Sequence, residues 1–594
     1  MKRSSIISLT VSIILTLLIP AANFYLFEFF ISNPFENMKP QIQLLNIVFF
    51  ELSALFLFFV FGRIKWALRF QSVFFMIIGL ADYYVLSFRS APIMPWDIYS
   101  AGTALSVADN FEYSLEKNTV FVLIGFIALI ALASMARLNV KNITGQAVRA
   151  AAVRLVGILA SAFFLAAYTH YVQLDSTVPR FGMYDKLFTP TVMSRRDGSA
   201  VAFLMELKYI SIDTPDGYSA DKACEILEPY AQNTDVLSVK RRPNIIVVMN
   251  EAFSDLSVLG SFETNKDYMP FIRSLMQEGA ENTVSGHLNV SVLGGNTANT
   301  EFEFLTGNSM AFLPQGSIPY QQYVKSEQPS LVSYLKSLGY RTTALHPYNS
   351  TGWDRNKVYP LLGFDNAYFI RSFIKPEKIR KYVSDRACYE KIISLYENRQ
   401  DGAPLFIFNV TMQNHSSYTE EFDNFTPDIT VTDSNSKALN NYLSLIRLSD
   451  EEIRELIDYF SCEDEETVIV FFGDHQPTNS VVSNIWKING KNGNNLSEED
   501  EAKRYIVPFF IWANFDISEE SGVETSANFL GGRVLEACGL PLYDYAAYLK
   551  ELSESFPVIT SIRAQSSNGE SSDIKSVSDK LNDYAILQYN RMFD

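Results

Sequence analysis

Cysteine is scarce in this chain: four in 594 residues, Cys224, Cys388, Cys462 and Cys538, with no CxxC pair. That usage describes neither a disulfide framework nor a thiolate zinc site, so the four read as ordinary buried residues. Positive charge is also in deficit, with 49 Lys and Arg against 66 Asp and Glu and a net charge of −17. A binder of phosphate backbones needs a basic face, so no nucleic acid is expected as a partner. Only 19% of residues are charged while 48% are hydrophobic, which excludes a disordered or fibrous protein and leaves material for a large core. Internal repeats are absent. The one low-complexity stretch, SSNGESSDIKSVSD from Ser566, is expected to be disordered within a polar C-terminal tail over 558–594.

Long hydrophobic runs are present, and all fall in residues 1–172. Five of them, beginning at Ser5, Ile42, Phe70, Val120 and Leu155, reach the length of about 20 helical residues that spans a bilayer. A cleaved signal peptide has a shorter apolar region and a polar mature chain after it, so the first run is expected to stay. Lys2 and Arg3, then Arg63, Lys65 and Arg69, then Arg137, Lys141, Arg149 and Arg154 fall on one side if the N-terminus is cytoplasmic. Five crossings then place everything after Val172 outside the cell. Residues 89–118, interrupted by Pro92 and Pro95, read as an external loop or a surface-lying helix. Glu51 and Asp82 fall inside predicted spans, where a carboxylate is a functional candidate. The plainer reading, that each lies near a span end or bonds a neighbouring helix, is preferred.

Residues 173–242 turn polar and mixed and read as a linker. From Pro243 short β-rich runs alternate with amphipathic helical stretches over 243–557, the pattern of an α/β domain with a mostly parallel central sheet. Ligands of such sheets gather at the carboxyl ends of the strands. Four runs end in residues suited to chemistry: NIIVVMN before Glu251, RTTAL before His346, PLFIFNVTMQN before His415, and ETVIVFF before Gly473, Asp474 and His475. A fifth, YIVPFFIWAN, ends without one. Three of the five histidines thus stand at strand ends of one domain, which points to a metal or phosphate site more than to isolated structural histidines. Glu251, Asp474 and His475 offer two oxygens and a nitrogen without thiolate, a set that suits Mn, Mg or Zn.

A further ligand position falls in SVLGGNTANTEFEFLTG. Gly294 and Gly295 permit a close backbone approach, and Thr297 and Thr300 lie at a helix start with Glu301 and Glu303 following. A helix N-terminus directs amide hydrogens at an anion, and a metal-coordinated hydroxyl ionises readily into a nucleophile. Ordinary helix capping accounts for the same residues, and residue type alone does not choose between the two readings or the two threonines.

These segments resemble the lipoteichoic acid synthase-like phosphoglycerol transferases of the alkaline phosphatase and sulfatase superfamily. The resemblance runs from the five spans to about Pro557 and rests on PNIIVVMNEAFSDL, GGNTANTEFEFLTG, LPQGSIPY, HPYNSTGWDRNKVYPLLGF, NVTMQNHSSY and FFGDHQP. It implies a membrane enzyme with an extracellular catalytic domain. The metal, commonly Mn2+ with Mg2+ or Zn2+ as alternatives, would bind Glu251, Thr297, Asp474 and His475, with Thr297 as nucleophile. A glycerol-phosphate pocket maps onto His346, Trp353, Arg355 and His415, where Arg355 would hold phosphate oxygens by its planar fork.

The expected reaction takes glycerophosphate from phosphatidylglycerol through a covalent threonine intermediate to a polyglycerophosphate or glycolipid acceptor. Departures exist: Asn296 stands where the best-known synthases carry a lysine, and Asn299 replaces an acid. The Cys/Ser-x-Pro-x-Arg pattern of sulfatases is missing, which disfavours sulfate-ester hydrolysis. EEFDNF and NLSEEDEAKR read as solvated surface. The rival expectations are a phosphoethanolamine transferase or a phosphodiesterase of the same chemistry, and a non-catalytic exported sensor or scaffold.

Overall fold

The computed structural model describes residues 3–594 apart from 90–91, 96, 98–116, 175, 185–189, 211, 232–238, 240, 315–316, 400–401 and 494–495. Most of the expected external loop 89–118 therefore lies outside the described residues, as do Lys2 and part of LPQGSIPY. Two compact units divide the chain, Met1–Ile212 with Pro314–Gly316, and Asp213–Leu313 with Ser317–Asp594.

The first unit is helical. Helices α1 (Arg3–Glu28), α2 (Pro40–Phe61), α3 (Ile64–Arg89), α4 (Lys117–Leu132) and α5 (Ala147–Gln173) coincide with the five expected spans. Each is long and apolar enough to cross a membrane. Their shared core joins Phe24, Phe50, Phe75, Phe126 and Tyr168, one from each helix. Leu17, Phe121, Leu159 and Phe163 remain more than half exposed, as a lipid-facing surface requires.

Spans two and three meet more closely than the sequence pattern indicates. Gly62 caps α2 in the left-handed conformation (φ 68°) and α3 resumes at Ile64. Lys65 and Arg69, expected between the spans, therefore lie in the first turns of α3, where long side chains can carry their charged heads to the interface. Arg154 donates from Nε to the Phe59 carbonyl at 3.0 Å, satisfying an otherwise open C-terminal group of α2. Asp82 is buried and accepts from the Ile93 amide at 2.6 Å, whereas Glu51 is half-buried. A third acid that the sequence did not single out, Glu28, is buried and accepts from the Ser199 amide at 2.9 Å.

The expected linker divides. Helices α6 (Pro190–Asp197) and α7 (Ser199–Glu206) pack Met193, Val201 and Met205 into the core of the helical unit, because SAVAFLME is apolar at every position between its terminal Ser199 and Glu206. From Asp213 onward the chain belongs with the α/β unit, Pro314–Gly316 excepted.

Among its described residues the second unit has thirteen strands, of which ten precede the C-terminal tail: β1 (Asn244–Asn250), β2 (Thr283–Asn289), β3 (Arg341–Leu345), β4 (Asn366–Tyr368), β5 (Lys378–Ile379), β6 (Tyr382–Val383), β7 (Leu405–Val410), β8 (Thr467–Gly473), β9 (Ile506–Ala513) and β10 (Glu520–Ser526). Eight form one sheet in the order β10-β2-β9-β8-β1-β7-β3-β4, and β5 pairs with β6 in a hairpin. Strands β8, β1, β7, β3 and β4 are mutually parallel, while β9 runs antiparallel to β8 and β2. Every residue of β1, β7 and β8 is buried, as expected of strands covered on both faces. Parallel alignment brings the carboxyl ends of β1, β3, β7 and β8 to one edge. The reversal of β9 explains why YIVPFFIWAN ends without a reactive group: its carboxyl end is at the opposite edge.

Helices α8 (Thr297–Thr306), α9 (Arg355–Leu362), α10 (Asp385–Glu397), α11 (Lys437–Phe460) and α12 (Asn582–Phe593) accompany the sheet. The C-terminal tail is folded, contrary to the expectation of disorder. It forms strands β11 (Val558–Ile559), β12 (Arg563–Gln565) and β13 (Ser571–Asp573), a 3-10 helix over Ile574–Leu581, and α12. Ile574, Val577, Leu581, Tyr584 and Leu587 recur at helical spacing in this polar stretch and bury against Ala223, Tyr545 and Leu549.

Candidate active site

Glu251 follows β1 directly, and Asp474 and His475 follow β8. Their ligand atoms lie within 4.8 Å of one another and all three side chains are buried. The convergence follows from register, since Asn250 pairs with Gly473 across the two strands. A Cβ on Gly473 would stand 1.9 Å from the Phe253 carbonyl oxygen, so only glycine lets the β1 and β8 ends approach this closely. The Ala252 amide donates to Asp474 Oδ1 at 2.7 Å and the Glu251 amide to Thr411 Oγ1 at 3.1 Å.

The ring of His475 places Nδ1 2.9 Å from the Gln476 carbonyl, which accepts only, so Nδ1 donates there and Nε2 is the atom turned toward the carboxylates. Nε2 stands 3.2 Å from Asp474 Oδ2, and neither atom has a hydrogen-bond partner. Two buried polar atoms left unpartnered side by side are the signature of a site for a cation between them. Burial pushes the Glu251 carboxyl up to about 8, the negative charge of Asp474 adding to the effect. The donor set of two carboxylates and one imidazole fits a divalent cation of the hard or borderline kind.

Thr297 opens α8 beside this cluster. The turn before it is left-handed at Gly294 (φ 61°) and Asn296 (φ 65°). The Gly294 amide donates to the Gln476 carbonyl at 3.1 Å, and Thr300 donates from Oγ1 to the Asp474 carbonyl at 2.8 Å. These two bonds fasten the start of α8 to the loop carrying Asp474 and His475. The Thr300 hydroxyl is thereby engaged with backbone, whereas the Thr297 hydroxyl is directed at Glu251.

His346 follows β3 and is buried between Val410 and Arg355. Nδ1 donates to the Val410 carbonyl at 3.0 Å, leaving Nε2 to accept from Arg355 Nη1 at 3.0 Å. Burial, then the Arg355 charge, holds this imidazole well below its ordinary range, so it is neutral. Arg355 itself is buried and engaged with Glu301: Nε donates to Oε1 at 3.0 Å and Nη2 adds a second bond. Tyr359 donates to the same carboxylate at 2.8 Å. Trp353 and Asp354 occupy consecutive left-handed positions (φ 56° each), an uncommon pair for side chains of this size, and Trp353 is half-buried. His415 lies beyond β7, its Nδ1 3.0 Å from both the Ser416 carbonyl and Tyr382 Oη.

Glu251, Thr297, Asp474 and His475 are thus brought together. His346 and Arg355 are in direct contact, and His415 sits on the same sheet edge. Three partners were not legible: Glu301 as the counter-charge of Arg355, and Arg380 and Tyr382 of the β5–β6 hairpin around His415. Arg380 donates from Nη2 to the Gln413 and His415 carbonyls at 2.7 Å each. Glu301 does follow Thr297 by four residues, which puts both on one face of α8.

An α/β domain with a mostly parallel sheet and a threonine beside an acidic and histidine cluster defines a class of phosphate- and sulfate-transforming enzymes. The sulfatase family profile matches residues 243–540, and the chain belongs to that family, within the alkaline phosphatase superfamily. It is 28% identical over 522 residues to a Rhizobium meliloti protein named for cyclic β-1,2-glucan modification, covering 85% of this chain and 79% of that one. It is 24% identical over 250 residues to the lipoteichoic acid synthase of Staphylococcus aureus, covering 41% of this chain and 37% of that one. Its fold is similar to the phosphoglycerol transferase GacH of Streptococcus pyogenes in complex with sn-glycerol-1-phosphate. The TM-score there is 0.50 at 21% identity, covering 64% of this chain and 95% of that one.

Proposed function

We propose that this protein is a membrane-anchored, metal-dependent phosphoglycerol transferase that takes glycerophosphate from phosphatidylglycerol and passes it to an alcohol acceptor. The observation that carries the reading is the Thr297 hydroxyl at the start of a buried helix, beside a cluster with two unpartnered buried polar atoms, Asp474 Oδ2 and His475 Nε2. Glu251, Thr297, Asp474 and His475 would hold a divalent cation, Mn2+ in the first instance. When bound there it supplies positive charge that favours an ionised hydroxyl and offsets charge on phosphate.

In this reading Thr297 Oγ1 forms a bond to phosphorus and the bond to the diacylglycerol oxygen breaks, that oxygen leaving with a proton. The acceptor oxygen then bonds to phosphorus, the bond to Thr297 breaks, and the threonine regains its proton. In this reading the amides at the start of α8 would face the phosphate oxygens and stabilise their negative charge. The fork of Arg355 is taken up by Glu301, so its part here is to hold His346 through Nη1, and Trp353, His346 and His415 line the glycerol side. The long match to a protein named for glucan modification favours a carbohydrate hydroxyl as acceptor over polyglycerophosphate. In this reading the N-terminus is cytoplasmic and the α/β unit lies outside, which the Lys and Arg residues at the span ends support.

The test is diacylglycerol release by the full-length protein in vesicles containing phosphatidylglycerol and phosphatidylethanolamine with Mn2+. Release from phosphatidylglycerol is expected, abolished in Thr297→Ala and retained in Thr300→Val. Turnover by Thr297→Ala, or turnover confined to phosphatidylethanolamine, would overturn the nucleophile or the donor respectively.

A further inference from the structure

Five residues beyond His415 the chain enters EEFDNF, a segment whose composition reads as plain solvated surface. It forms one side of a cleft of about 520 Å3, walled by Glu420, Phe422, Phe425, Asn435, Asn440 and Asn441. The Phe425 amide donates to the Phe422 carbonyl at 3.2 Å, a tight turn that holds both rings half-buried. Phe425 is anchored against the domain core.

Asn441 in the cleft wall is 3% exposed; its Nδ2 donates to the Tyr418 carbonyl at 2.7 Å and its Oδ1 has no partner. A buried acceptor left open in a cleft is a place for a ligand hydroxyl to donate. Aromatic faces flanked by planar amides and carboxylates match a sugar, which offers C–H faces for stacking and hydroxyls for both donor and acceptor roles. Charge narrows the class further. Glu420 lies 3.7 Å from Lys381 and Glu421 lies 2.6 Å from Lys437, and Asp423 adds another acid to the lining. Lys381 and Lys437 offset two of these three acids, so the rim is near charge balance: it suits an uncharged chain and offers a polyanion no free cluster of positive charge.

The cleft is also tied to the candidate active site. Ser417 donates to Glu420 Oε1 at 2.7 Å, and Arg380 donates to the carbonyls of Ser417 at 2.6 Å and His415 at 2.7 Å. Five residues of chain span at most ~18 Å, within reach of a short oligosaccharide.

We propose that this cleft is the acceptor site and binds a neutral carbohydrate, presenting one of its hydroxyls toward His415. The inference rests on the reading that an alcohol accepts glycerophosphate. The probe is a neutral cyclic β-1,2-linked glucan, first titrated by saturation-transfer NMR against the full-length protein without donor, then used as acceptor in phosphatidylglycerol vesicles with Mn2+. Wild type binds the glucan saturably and does not bind polyglycerophosphate. Phe422→Ala weakens glucan binding and raises its KM at least tenfold with kcat within twofold, and Phe422→Trp restores both; Asn441→Ala gives the same direction. No glucan binding by wild type, unchanged binding in Phe422→Ala, tighter binding of polyglycerophosphate, or a fall in kcat at constant KM overturns the proposal. Failure of the transferase reading shows separately, as absence of diacylglycerol release, while the donor-free titration still decides the cleft.

Discussion

Glu301→Gln isolates the buried ion pair behind the candidate active site. Glu301 is 0% exposed and Arg355 2%, and the carboxylate receives Arg355 Nε at 3.0 Å on Oε1 and Tyr359 Oη at 2.8 Å on Oε2. Glutamine keeps the shape but turns an amide donor toward either the guanidinium or the tyrosine hydroxyl, and it leaves the Arg355 charge buried without a counter-charge. Removing one partner of a buried pair costs about 3–5 kcal/mol, and the acceptor that glutamine retains puts this variant near the lower end. Domains of about 150–250 residues lose roughly 2–4 °C per kcal/mol and a larger unit somewhat less, so a fall of about 5 °C is expected. The assay is thermal unfolding of the full-length protein in detergent, run as a double-mutant cycle with Arg355→Met. The double variant should recover stability relative to the sum of the singles by at least ~1.5 kcal/mol. A single variant melting within a degree of wild type, or a coupling below ~0.5 kcal/mol, would refute a desolvated pair at this position.

How far the sequence reaches is clear from which residues it could and could not connect. Glu251, His346, His415 and Asp474 were legible because each follows a run apolar enough to be a central strand, and parallel strands deliver their carboxyl ends to one edge. The choice of Thr297 over Thr300 was not open to residue type, because both stand on the same turn of α8. The structure separates them through a backbone carbonyl, that of Asp474, which engages Thr300 from 174 positions away. Arg355 and Glu301 are 54 positions apart, and neither periodicity nor spacing predicts that a phosphate-seeking arginine is met by a carboxylate of the nucleophile's own helix. Local polarity misled at the C-terminus, where Ser and Asp surround Ile574, Val577 and Leu581 without breaking their helical spacing. The same dilution hid the cleft in EEFDNF, whose two phenylalanines are obscured by acids.

Three further outcomes are expected. Gly473→Ala should lose Mn2+ binding in calorimetric titration and melt lower by ~1–3 kcal/mol or more, because its Cβ meets the Phe253 carbonyl at 1.9 Å; normal metal affinity would show that the β1 and β8 ends separate freely. Leu581→Ala, at a position 1% exposed, should cost ~2–5 kcal/mol and open the C-terminal segment to limited proteolysis, whereas a disordered tail would be cut equally in both proteins. The third concerns His287, whose Nδ1 lies 2.8 Å from Glu524 Oε1 between β2 and β10. The hydrogen bond to Glu524 raises this imidazole above its ordinary value, outweighing the opposing effect of burial. A group whose pKa is raised on folding contributes its full stability below the unfolded value, about 6.5, and loses it as pH rises through the folded value. Melting temperatures of wild type and His287→Gln should therefore differ most at acid pH and converge above neutrality. The difference will be small, since both side chains are about two-fifths exposed and solvent screens the pair. A gap that widens with rising pH would mean that His287 is neutral in the folded protein and acts through packing, leaving Glu524 without its charged partner.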